Sequence, residues 1–146
     1  MYPRLDTLPI FAGLNDEALN VLAQRVQVTE AAPGTVLVRE GENGNRFFLI
    51  ESGAVRVCKH YGKPHETILA TLQKGDFFGE MCILETLPRS ATVLTVVPSV
   101  FYSLTSLDFL HLYERLPSEY GILVLNLARD LSRRLRHLDE LFSALH

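Results

Sequence analysis

Between Val28 and Leu104 the chain holds no helical hydrophobic period. It breaks instead into six short runs, TVLVRE, RFFLIES, AVRVCKHY, TILATLQ, ATVLTVV and VFYSL, parted by Gly, Pro and Asn. Short apolar runs bounded by turn formers read as strands, and strands that follow one another without helices between them leave few architectures. The expectation is mainly β with flanking α, a β-barrel or jelly-roll-like sandwich over 28–104.

Helical period brackets this region on both sides. In NDEALNVLAQRV, Asn15 is placed to cap, and Ala18, Leu19, Leu22, Ala23 and Val26 fall on one face. After Leu104, TSLDFLHLYERL resumes the period with Thr105 or Ser106 as cap, and Pro117 breaks it. Ser118 to His146 reads as one long helix. The chain is therefore divided into an N-terminal helical segment 1–27, the β region 28–104 and C-terminal helices 105–146, all one domain of 146 residues. A chain of this size buries about 68–70% of the surface it exposes when unfolded, so it needs no staples.

Along the last helix, Val124, Ala128, Leu131, Leu135, Leu138, Phe142 and Leu145 repeat at alternating spacings of four and three, with the charges of RRLRHLDE on the flanks. One reading lays this helix on its own barrel. The other pairs it, parallel or nearly so, with a second copy, and it is favoured because a helix of roughly 42 Å outreaches a barrel of this size. A homodimer through the C-terminal helix is expected.

Composition removes several classes of function. With 47% apolar and 21% charged residues the chain is an ordinary globular protein, and its net charge of -3 argues against a nucleic-acid partner. No apolar run approaches the ~18 residues of a membrane span, and MYPRLDTLPIF lacks the layout of a signal peptide, so no membrane span and a cytoplasmic location are expected. Cys58 and Cys82 stand in unrelated contexts and read as reduced thiols. His60, His65, His111, His137 and His146 are scattered, which predicts no metal site.

The chemistry concentrates in GDFFGEMCILETLPRSATV, Gly75 to Val93. Gly79 permits a tight turn, and EMCIL offers a short helical turn whose first N–H groups lack partners within it. Such a start attracts an anion, and Arg89 is the natural bidentate partner for the same phosphate. A carboxylate there would repel phosphate, so Glu80 is better used accepting from a hydroxyl beside it, such as a ribose 2′-OH. The pair thus fits a small nucleotide with one phosphate. A structural Glu80–Arg89 ion pair is the competing reading, although Gly75, Gly79, Pro88, Ser90 and Ala91 leave backbone exposed on both sides in a way an ion pair does not require. Cys82 reads either as a thiolate lowered by the helix start or as a small side chain that lets a ligand approach. No general base, nucleophile or metal cluster accompanies the pair, so no enzyme is expected.

This run resembles the phosphate-binding cassette of the cyclic nucleotide-binding domain family: Phe-Gly-Glu, a short apolar turn, then Arg and small residues before a hydrophobic strand. Upstream, GENGNRFFLIESGAVRV resembles the family's Gly-rich hairpin, with Gly41, Gly44 and Gly53 at turns and Phe48 and Ile50 facing inward. The likeness spans about Leu8 to Leu145. It implies an eight-stranded jelly-roll β-barrel with an N-terminal helix and a long C-terminal helix, a sensor of cAMP or cGMP that needs no other cofactor. On the resemblance, Glu80 binds the 2′-OH, Arg89 the cyclic phosphate, and the segment Phe78, Gly79, Glu80, Met81 and Cys82 with Ser90 and Ala91 forms the cradle. LSRRLRHLDE resembles the dimer helix of the family's bacterial cAMP-receptor branch. Leu138 and Asp139 stand where that branch has adjacent hydroxyl residues for adenine, and Arg136 and Asp139 are taken as the helix's ligand-side candidates. Ser90 after the cassette Arg resembles the branch that reads cAMP. That branch continues into a helix-turn-helix, whereas this chain, starting at Met1, stops after the dimer helix; a complete chain without a DNA reader is expected, signalling to an unknown effector protein. The alternatives are a degenerate barrel used only for protein interaction, and a cupin-type enzyme, which would need a missing His and carboxylate cluster.

Overall fold

The computed structural model of the protein describes residues 4–84 and 88–145, the side chains of Cys82 and Leu84 excepted. The Cys82 thiol, His146 and residues 85–87 of the cassette therefore lie outside the described residues.

The strands are β1 Gln27–Ala31, β2 Val36–Val38, β3 Arg46–Ser52, β4 Ala54–Lys59, β5 Thr67–Gln73, β6 Phe77–Phe78, β7 Thr92–Thr95 and β8 Ser99–Thr105. They form two antiparallel four-stranded sheets, ordered β1-β8-β3-β6 and β2-β7-β4-β5. Between the sheets, Phe48, Ile50, Phe78 and Phe101 of the first meet Val55 and Val93 of the second. The Phe48 and Phe78 rings stack at 4.9 Å, and the Phe101 ring closes edge-on against both. β3 shows why its sequence lacks alternation. Phe48 and Ile50 face the space between the sheets, as the hairpin resemblance implies, while Phe47 and Leu49 face a second core under the helices. A strand covered on both faces is apolar throughout, and Phe47 to Ile50 are all buried.

That second core is closed by a 3-10 turn at Pro9–Phe11, α1 Asp16–Ala23, α3 Ser106–Arg115 and α4 Pro117–Ala144. The expected caps are in place. The Asn15 side chain accepts from the Ala18 N–H at 2.8 Å, and Thr105 with Asp108 forms a reciprocal capping box on α3. α4 begins with Pro117 at its first turn, where a missing N–H costs nothing. It also fastens the N-terminus: Asn126 Nδ2 donates to the Ile10 and Ala12 carbonyls, and Glu119, buried, accepts the Asn15 N–H.

One expected feature shifts. The apolar seam of α4 is divided along its length, because the earlier turns pack on the domain while every residue from 135 to 145 is exposed. Leu123 and Leu127 are buried and Leu131 packs beside them on the domain's own core. Leu135, Leu138, Phe142 and Leu145 are each at least 60% exposed, so the outward strip begins lower than the sequence seam implies. No helix among the described residues is long and apolar enough to cross a membrane.

Candidate functional site

Three separate stretches meet at Arg89. Its backbone is held by two rungs to the approach of β3: the Arg89 N–H donates to the Glu42 carbonyl and the Gly41 N–H donates to the Arg89 carbonyl, both at 2.8 Å. That approach is itself pinned. The Glu40 N–H donates to Thr92 Oγ1 at 3.0 Å, and the Glu40 carboxylate accepts the His60 N–H at 2.9 Å with Lys59 Nζ at 3.5 Å. The His60 amide first, and the Lys59 charge after it, hold the Glu40 carboxyl below its ordinary range.

The guanidinium of Arg89 then lies in a slot. Its Nη2 donates to the Arg46 carbonyl at 2.9 Å. A Cβ placed on Gly44 would come within 2.5 Å of Nη2 and 2.7 Å of Cζ, and a Cβ on Gly79 would come within 2.7 Å of the Arg46 oxygen and 2.8 Å of Nη1. Gly79 also carries φ +80°, the left-handed conformation that turns the chain from β6 into the single turn α2, Met81–Leu84. Glu80 sits in that turn, half-buried, its carbonyl accepting the Ile83 N–H at 3.0 Å.

The partner of Arg89 is a carbonyl and not a carboxylate. Among the described residues neither Glu80 nor Arg89 enters an ion pair, so the structural pairing weighed from sequence does not form. A carbonyl aligns the guanidinium without cancelling its unit charge, so among the described residues the cation is oriented and has no counter-charge. Among the described residues there is also no group of three side chains able to hold a metal ion.

The other sequence-predicted residues distribute unevenly. Of these, Gly79 lines the slot; Glu80 follows it in the chain, and Ser90, exposed, and Ala91, buried, follow Arg89. Phe78 stands behind the cassette as part of the aromatic cluster, and Met81 is 40% exposed. Arg136 and Asp139 are exposed on α4, and no hydrogen bond or ion pair ties either to the cassette among the described residues. Their near neighbour Arg134 is the α4 residue that reaches it. Its Nη2 donates to the Phe77 carbonyl at 3.2 Å, its guanidinium carbon lies 4.5 Å from the Phe77 ring centroid, and its Nε pairs with Asp130 at 2.7 Å. Counting helical turns from the inward Leu123 and Leu127 through Leu131 singles out Arg134 among the arginines of RRLR. The contributions of Gly44 and of the Arg46 carbonyl have no such local signal, being 45 and 43 residues from Arg89 (89 − 44 and 89 − 46).

The sequence pattern of the cyclic nucleotide-binding domain matches residues 28–116. The chain is 42% identical over 89 residues to a cAMP-dependent protein kinase regulatory subunit of Yarrowia lipolytica, covering 61% of this chain and 23% of that one. It is 34% identical over 131 residues to the cyclic AMP receptor protein of Thermus thermophilus, covering 90% of this chain and 59% of that one. The crystal structure of the Thermus thermophilus catabolite activator protein superposes with a TM-score of 0.77 at 33% identity, over 94% of this chain and 62% of that one. The chain thus spans less than two thirds of the length of each of these relatives.

Proposed function

The chain belongs to the cyclic nucleotide-binding domain family, and from that premise we propose that it binds a 3′,5′-cyclic nucleotide between Glu80 and Arg89 and acts as a sensor module rather than an enzyme. The observation that carries this is the Arg89 guanidinium, aligned by a carbonyl between two glycines and left without a counter-charge among the described residues. A cyclic phosphate brings one negative charge and two free oxygens, which suits a single guanidinium. Glu80 accepts from the ribose 2′-OH, and the amides from Gly79 to Cys82 with Ser90 and Ala91 complete the cradle.

Ser90 favours cAMP. Its hydroxyl lacks the β-methyl that fixes the Thr rotamer, so it holds a guanine amino group weakly. The preference over cGMP is at most about tenfold, since one neutral hydrogen bond is worth about 0.5–1.5 kcal/mol. The output element is α4, whose outward Leu135, Leu138, Phe142 and Leu145 pair with a second copy and present the ligand state to an effector protein.

A thermal shift series with cAMP, cGMP and divalent metal ions tests the reading. Ligand at 100 times its dissociation constant adds about 2.7 kcal/mol of stability, so a nucleotide that leaves the melting temperature unmoved at millimolar concentration refutes it.

A further inference from the structure

We infer that Gly44 is a positioning residue for Arg89: the position is glycine because the guanidinium occupies the volume of its side chain. The inference rests on the cyclic nucleotide reading and adds to it the residue that sets where the phosphate-binding cation lies.

Conformation does not account for this glycine. Seven of the chain's glycines adopt positive φ, and Gly44 is not one of them, so an L side chain meets no backbone barrier there. Space does account for it. A Cβ at Gly44 would meet Nε, Nη2 and Cζ of Arg89 as its three nearest neighbours, all closer than the 3.4 Å at which ordinary contact begins. By contrast, nothing lies within 4 Å of such an atom at Gly34, Gly41, Gly62 or Gly121. Nor does the guanidinium have room to retreat. Its Nη1 already lies within 2.8 Å of where a Cβ on Gly79 would stand, and Nη2 is committed to the Arg46 carbonyl. The backbone of Arg89 is fixed by its rungs to Gly41 and Glu42, three and two residues from Gly44, so the segment that carries the cation and the wall it rests on move together. Adding one methyl at Gly44 therefore swings the head group out of its slot and breaks the bond to Arg46, while the polypeptide path survives.

Two readouts on Gly44→Ala test this. The first needs no ligand: the Nε–Hε resonance of Arg89, assigned by its absence from Arg89→Lys, is expected to shift and to lose the slow side-chain rotation of a held guanidinium. The second is titration with 3′,5′-cAMP, where affinity is expected to fall at least about tenfold, the value of one hydrogen bond to a charged group. The unliganded melting temperature is expected to stay at the wild-type value. An unmoved Arg89 resonance overturns the inference, as does wild-type affinity for cAMP. So does a melting temperature that falls in step with affinity while the resonance stays put, because that marks a purely structural glycine. Should the wild type itself ignore cAMP, the nucleotide reading fails, and the resonance alone still decides whether Gly44 seats Arg89.

Discussion

Replacing Arg89 by Leu removes the positive charge that the site turns toward the cassette. Two losses result, and they differ in size. In the unliganded protein the change deletes one bond, Nη2 to the Arg46 carbonyl, at a half-buried side chain. Arg46 is itself half-buried and the bond is a single one, so the stability cost stays at or below about 1.5 kcal/mol. The backbone rungs from Gly41 and to Glu42 use main-chain atoms and persist. In the complex, a phosphate anion loses a bidentate charged partner in a partly dry pocket, a truncation that costs about 2–5 kcal/mol, or on the order of 30- to 4000-fold in affinity. Isothermal titration with cAMP alongside unliganded calorimetry separates the two. Arg89→Leu is expected to lose measurable binding while melting cooperatively within a few degrees of wild type. A titration curve that matches wild type would falsify the assignment of Arg89 to the phosphate, and a variant that fails to fold would show that the cation serves the β3 approach instead.

Glu80→Gln is expected to weaken cAMP by about 1–2 kcal/mol, because an amide oxygen accepts from the 2′-OH more weakly than a carboxylate, and 2′-deoxy-cAMP is expected to lose little further affinity on that variant, since both changes act on one contact. Independent losses that simply add would place the 2′-OH elsewhere. Leu135→Glu puts a charge on a residue 63% exposed in the single chain, so it is expected to leave the melting temperature of the monomer alone and to abolish the dimer in sedimentation velocity at tens of micromolar. Leu131→Glu differs by striking the domain's own core, and a wild type that sediments as a monomer rejects the α4 interface. Cys58, 1% exposed, has its thiol pushed up by burial first and by Glu66 second. A raised pKa on folding favours the neutral thiol, so its contribution is fully present below the unfolded value of about 8.5 and is lost as pH rises beyond it toward the folded value. Urea unfolding is expected to show a steeper loss of stability above about pH 8.5 for wild type than for Cys58→Ala, and equal slopes would remove Cys58 from the account.

What sequence made legible was what one element decides alone. Asn15 and Thr105 cap their helices by bonds spanning three residues, and both were readable as caps. RFFLIES and TILATLQ coincide with β3 and β5 because Gly, Asn and Glu punctuate them on both sides. β1 escaped delimitation: Gln27–Ala31 carries no buried residue and no apolar alternation, and its strand form comes from its ladder to β8. The two-residue β6 likewise exists only as a partner of Phe48 and Leu49. The α4 seam was legible as apolar but not in how far it packs on the domain, because how many turns are covered depends on a core that other segments build around Leu123, Leu127 and Leu131. In the site, Glu80 and Arg89 stood out because a single cassette holds both. Gly44 read as a turn glycine because its neighbour in space is remote in sequence.

The same architecture explains why an acid and a base nine residues apart do not pair. Gly79, at φ +80°, sends Glu80 into the turn of α2, while Arg89 returns on a segment bonded to Gly41 and Glu42 and turns its head group toward the Arg46 carbonyl. Had Glu80 taken the guanidinium, a phosphate would first have to break a charge-assisted bond and then share the cation with a competing carboxylate. In the binding mode proposed, holding the two apart keeps Glu80 for a hydroxyl and Arg89 for a phosphate before the ligand arrives. The glycine walls hold the cation in one orientation, so its rotameric freedom is lost during folding and not on binding, where each immobilised side chain of this kind would otherwise subtract about 0.5–1.5 kcal/mol. Preorganisation of this sort is a property of three segments together: the β3 approach, the β6–α2 turn and the entry to β7. For that reason a substitution at Gly44, outside the cassette altogether, is expected to act on the phosphate through Arg89.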